Sequence, residues 1–136
     1  MSYLLDTNVC IRYLNGRSQA IKARLEGTDP STVLLCSVVK AELLFGVAKS
    51  RASEQTRAKL DRFLQPFESL PFDDRAASHY ASIRAQLDRR GAPIGPNDLM
   101  IAAIALAHDA ILVTANAREF TKVEGLRWED WEAAGA

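Results

Sequence analysis

Tyr3-Leu4-Leu5-Asp6-Thr7-Asn8 is the stretch that decides the fold. Tyr3 to Leu5 carry no charge and no alternation, which predicts a short strand buried on both faces. From Val9 the apolar positions Val9, Ile11, Tyr13 and Leu14 suit a short helix, and Asn15-Gly16 stops it. Asp6 therefore stands where a strand ends and a helix starts. Ligands of an open parallel sheet bind at the carboxyl ends of its strands, so an acid there is a candidate centre for chemistry. The same position also suits a plain helix cap.

The pattern repeats outward from this point. Ser18 is placed to cap a second short helix through Leu25, closed by Gly27. Thr28-Asp29-Pro30-Ser31 reads as a turn, and Val33 to Cys36 as a second apolar strand. Ser37 is the expected N-cap of a helix from about Val38 to Lys49. Glu42 shares a face of that helix with Val38, Val39, Phe45 and Gly46, so its carboxylate is expected in an apolar stripe. Unpaired there it would be costly, and it needs a cation or a donor. A Glu at the edge of the stripe, or one paired with Lys49, is the alternative.

Arg51 to Leu64 reads as a charged helix ended by Pro66, and Glu68 to Pro71 as an edge strand. Asp73-Asp74 opens a helix to about Arg90, with Ala76, Ala77, Tyr80, Ile83 and Leu87 on its packing side and Gly91 as its stop. Pro96 fits the first turn of the next helix. Its run from Leu99 to Ala107 is apolar all round and predicts a buried helix. Asp98, in the first turn, is either matched to the helix dipole or part of a site. Ala110 to Thr114 is another buried strand, followed by Asn116, Ala117, Arg118 and Glu119. Gly125 to Trp131 closes the chain with a last short strand, its tryptophans covering the core or an interface.

The 136 residues are expected to form one domain, 1–136. The formal net charge is zero, so no global basic field announces a nucleic-acid partner. Much of the local positive excess falls in 40–62, either a solvated helical face or a phosphate track. Cys10 and Cys36 form no CxxC and read as small buried hydrophobes. His79 and His108 share no ligand spacing with them, which argues against zinc. With no signal peptide and no long apolar run, a cytoplasmic protein away from the membrane is expected.

Alternating strands and helices predict a three-layer α/β/α sandwich around a mainly parallel sheet of four or five strands. In that architecture Asp6, Glu42, Asp98 and Glu119 can converge in one acidic pocket. Like charges so placed raise one another's pKa values. Mg²⁺ or Mn²⁺, both suited to carboxylates and water, would resolve the conflict. Metal-assisted phosphodiester hydrolysis fits such a pocket.

Leu4-Leu5-Asp6-Thr7-Asn8, Ala41-Glu42-Leu43, Pro96-Asn97-Asp98-Leu99-Met100-Ile101-Ala102-Ala103 and Thr114-Ala115-Asn116-Ala117-Arg118-Glu119-Phe120 together resemble the motifs of PIN-domain ribonucleases. More narrowly, the chain is similar to the VapC toxins of VapBC toxin–antitoxin pairs, over nearly its whole length. The resemblance implies a toxic, Mg²⁺- or Mn²⁺-dependent endoribonuclease with Asp6, Glu42 and Asp98 as the acidic site. Asp6 and Asp98 would be the metal ligands. Many members carry Asp where this chain has Asn116, so Glu119 is taken as the fourth carboxylate, with Thr7, Thr114 and Asn116 as polar support. Arg118 is placed either to meet RNA phosphate or to pair with an acid. The resemblance further implies a cytoplasmic homodimer, a VapB-type antitoxin that blocks the pocket and drives higher assembly on binding, and structured RNA such as tRNA as substrate. The rival readings are a phosphatase using Asp6 as nucleophile, a phosphorylated receiver-like switch, and a metal-free RNA-binding module of the same fold.

Overall fold

The computed structural model describes residues 1–133; the end of the predicted domain, 134–136, lies outside them. Five parallel strands form one sheet in the order β3-β2-β1-β4-β5. These are β1 (Tyr3–Leu5), β2 (Val33–Cys36), β3 (Glu68–Leu70), β4 (Ile111–Val113) and β5 (Trp128–Glu129). The uninterrupted apolar runs of β1, β2 and β4 occupy the three central places, where both faces of a strand are covered. The short, more polar β3 and β5 take the edges.

Helices α1 (Thr7–Leu14) and α2 (Gln19–Glu26) connect β1 to β2, and α3 (Ser37–Ala48) and α4 (Ser53–Leu64) connect β2 to β3. The chain then crosses back through α5 (Asp74–Arg89) and α6 (Pro96–Ala107) to reach β4 on the other side of β1. Because parallel crossovers keep one hand, this reversal sends the second group of helices to the opposite face and gives three layers. α6 is the central helix of its layer. Ile101 to Ala105 are without solvent exposure, and the alanines of α6 let α5 pack closely against it. A four-residue helix, α7 (Ala117–Phe120), follows β4 and inserts Phe120 into the core.

Several local expectations shift. Ser37 is the first residue of α3, whose N-cap is Cys36 and makes no side-chain cap bond. Ala77 is exposed; the packing side of α5 is Ala76, Ile83 and Leu87, with Tyr80 partly buried against the core as expected. The buried stripe of α3 is Val39, Leu43 and Val47, at intervals of four. Glu42 and Phe45 therefore lie beside that stripe rather than in it, because an apolar residue at nearly every position hides which face is buried. Lys49 lies over the Phe45 ring and makes no ion pair with Glu42. Trp131 is buried, its indole N–H donating to Glu129 Oε1. Among the described residues, no helix is long and apolar enough to cross a membrane.

Candidate active site

The strand order reverses at β1 and β4, which are neighbours although most of the chain separates them. Such a switch point opens a crevice at the carboxyl ends of the strands. Leu5 pairs with Val113, so the next residues, Asp6 and Thr114, stand side by side at that edge.

Asp6 is both a cap and a site residue. Its backbone is extended, and its Oδ1 accepts from the Thr7 N–H at 2.7 Å. Oδ2 accepts from Thr114 Oγ1, also at 2.7 Å. Thr7 Oγ1 in turn donates to Glu42 Oε1 at 2.7 Å, tying α1 to α3. On the other side, Thr114 Oγ1 accepts from the Asn116 N–H at 2.9 Å, and Asn116 Nδ2 approaches Asp98 Oδ2 at 3.4 Å. A chain of polar contacts thus runs from Glu42 through Thr7, Asp6, Thr114 and Asn116 to Asp98. It joins four separate segments across the crevice.

This network orients the acids but does not neutralise them. Among the described residues no ion pair involves Asp6, Glu42 or Asp98. Asp6 is only 5% exposed. Burial raises its pKa, the hydrogen bonds from Thr114 and Thr7 pull it back, and the Glu42 charge adds to the rise. The Asp98 carboxyl is pushed up to about 6, by burial first and then by the charges of Asp6, Glu119 and Glu42. Glu119 stands apart from the hydrogen-bonded chain. It reaches Lys122 at 3.8 Å and acts on Asp98 through its charge. Arg118 is exposed and pairs with no acid among the described residues.

Among the described residues no three acidic, histidine or cysteine side chains close into a cage. A cation in this crevice would take oxygens from Asp6 and Asp98 and complete its shell with water, a habit of Mg²⁺. A buried and two half-buried carboxylates without basic partners are a donor set that fits such a hard ion.

A PIN domain model matches residues 3–126. The chain belongs to the PIN-domain family. Ribonuclease VapC2 of Rickettsia felis is 39% identical, over 97% of this chain and 99% of the relative. The tRNA(fMet)-specific endonuclease VapC of Salmonella typhimurium is 38% identical, over 96% of this chain and 98% of the relative. The solved structure of DNA-bound VapBC from Salmonella typhimurium superposes with a TM-score of 0.91 at 38% identity, over 96% of this chain and 98% of that one.

In this PIN domain the structure brings together Asp6, Glu42, Asp98, Thr7, Thr114 and Asn116, and leaves Glu119 at the rim. The Thr7 to Glu42 bond had no signal in the sequence, because 35 residues separate the partners. Asn97 and Phe45 also line the crevice. Asn97 was legible only as part of a motif, and Phe45 was assigned to an apolar stripe it does not join. The two cysteines are buried and free, as their apolar settings predicted.

Proposed function

We propose that the chain is a toxic endoribonuclease of a type II toxin–antitoxin pair. It hydrolyses phosphodiester bonds in structured RNA with the help of Mg²⁺ or Mn²⁺, and a VapB-type antitoxin holds it inactive. The observation that carries the reading is the hydrogen-bonded chain from Glu42 to Asp98, which orients three carboxylates at one switch point without neutralising them. The ribonuclease names of the relatives support RNA as the substrate, and one is named for a tRNA. Solved VapBC complexes among the neighbours support the antitoxin. We infer a cytoplasmic homodimer, where free thiols persist and RNA is at hand.

Asp6 and Asp98 would hold the cation, which when bound supplies Lewis acidity and offsets the charge that builds on the scissile phosphate. Glu42 is the carboxylate proposed to take the proton of the attacking water. One of its oxygens is fixed by Thr7, and the other has no protein donor among the described residues. Thr114 and Asn116 keep Asp6 and Asp98 in register. An antitoxin guanidinium or ammonium would satisfy the same oxygens and so block the site.

Expression of the wild type and of Asp6→Asn without any partner tests the reading. Growth arrest and new RNA ends in the wild type alone are the expected result. Arrest in both, or arrest without new RNA ends, would overturn it.

A further inference from the structure

The crevice continues past Glu42 along α3. Thr7, Glu42 and Asn97 line it together with Phe45, Gly46 and Lys49, around a cavity of about 770 Å³. Phe45 is 64% exposed. A phenylalanine left in water forgoes most of the stabilisation that its burial would contribute. It sits three residues after Glu42 and shares that side of the helix. Lys49 holds its Nζ 5.0 Å from the centroid of the Phe45 ring. Among the described residues no carboxylate pairs with Lys49.

Gly46 is a second, independent observation. In a helix interior glycine is less favourable than alanine. A Cβ at Gly46 would meet nothing within 4 Å, so packing inside this chain does not require the glycine. Bare backbone there permits a close approach from outside. Two hollows share Gly46. The one walled by Leu14, Leu43, Val47 and Leu60 is mainly apolar. Phe45, Lys49, Thr7 and Asn97 line only the other, and Glu42 borders both.

We infer that Phe45 is a stacking platform for a base of the RNA strand lying in the acidic crevice, with Lys49 holding an adjacent phosphate. The inference rests on the ribonuclease reading and adds a substrate-positioning residue to it. An aromatic face beside a cation is how proteins hold unpaired nucleotides, since every base has a π-face. Lys49 also offsets the repulsion between phosphate and the carboxylates. Elsewhere in the 40–62 run Arg57 pairs with Asp61 and Lys59 donates to the Leu14 carbonyl. Lys49 is the cation of that run that lines this crevice, which sets the predicted phosphate track at the end of α3.

The test uses bulk tRNA, cut by the full chain with Mn²⁺. Phe45→Ala should raise KM about tenfold or more with kcat nearly unchanged, and Phe45→Trp or Phe45→Tyr should restore it. Lys49→Gln should weaken binding and lower the salt slope by about 1. In the Asp6→Asn background, a single-stranded oligoribonucleotide carrying 2-aminopurine should lose fluorescence on binding, and Phe45→Ala should abolish that quenching. The platform is overturned if Phe45→Ala leaves KM and quenching unchanged, or if neither aromatic substitution restores them. Unchanged RNA kinetics with weaker inhibition by the antitoxin would assign the ring to the protein partner, which also overturns it. If the wild type cuts no RNA, the ribonuclease reading falls; if it cuts RNA and Phe45→Ala cuts equally well, only the platform falls.

Discussion

Thr114 Oγ1 donates to Asp6 Oδ2 across 2.7 Å, joining the ends of two neighbouring strands whose residues stand 108 apart in sequence. The bond exists because β1 and β4 pair in a register that sets Leu5 opposite Val113. The same hydroxyl oxygen accepts the Asn116 N–H. One buried side chain thus serves both the first acid and the segment that steadies Asp98.

Thr114→Val keeps the shape and removes both bonds. It leaves a buried carboxylate oxygen and a backbone N–H without partners, a loss of about 1–3 kcal/mol. The expected outcome is a fall in Tm of several degrees together with a loss of RNA cleavage of about 10–100-fold, the range for groups that support a metal ligand. Thr114→Ser retains the hydroxyl and should recover most of both. A Val variant as active as the wild type would remove Thr114 from the site.

Asp98 links the site to pH. Its carboxyl moves from an ordinary 3.8 to about 6 on folding, so the folded state holds the proton more tightly than the unfolded chain does. At pH 7 both states carry the anion, and the metal-free fold bears the full cost of crowding it among acids. As the pH falls below about 6 the folded state takes up the proton first, and the cost fades toward 3.8. Asp98→Asn should therefore stabilise the chelator-treated protein at neutral pH by on the order of 1 kcal/mol, after allowance for solvent screening. That gain should shrink toward zero in thermal melts at about pH 4. An equal gain at both pH values would contradict the argument.

The β1 and β2 boundaries were legible to the residue because uninterrupted apolar runs of that length suit central strands of a parallel sheet. Asp6 and Asp98 were legible because each stands at a helix start beside a buried element. What could not be read was what each acid touches. Glu42 meets Thr7 only once α1 and α3 have packed, and no local spacing encodes that contact. Phe45 was misplaced because α3 is apolar on nearly every side, so periodicity cannot separate its buried stripe from its crevice wall. Glu119, chosen as the nearest acid after β4, shares its carboxylate with Lys122 instead of joining the chain of hydrogen bonds.

Thr7 and Glu42 can be separated experimentally. Thr7→Val removes the hydroxyl that fixes Glu42 Oε1 while leaving every carboxylate in place. If Glu42 works only when held, the variant should lose about tenfold or more in kcat with little change in KM, and Thr7→Ser should restore it. Glu42→Gln keeps an oxygen for Thr7 but removes the charge, and should lose at least as much. Full activity in Glu42→Gln would exclude a proton-accepting role.

Asn116 is where this chain departs from the Asp that many members of its family carry. Its amide is compatible with the negative Asp98 and donates toward it at 3.4 Å. Asn116→Asp replaces that donor by a fourth like charge at the centre of the crevice. The metal-free variant should melt below the wild type at neutral pH, because the added repulsion has no counter-charge. Added Mn²⁺ should then stabilise the variant more than the wild type, since an extra carboxylate lowers Kd and the gain from a ligand grows as RT ln(1 + [L]/Kd). Glu119→Gln should change the Mn²⁺ response far less, its carboxylate already lying beside Lys122. Melts with chelator and with a Mn²⁺ series decide the matter. A variant that melts low but gains no more from Mn²⁺ than the wild type would place the cation away from residue 116, nearer Asp6 and Glu42.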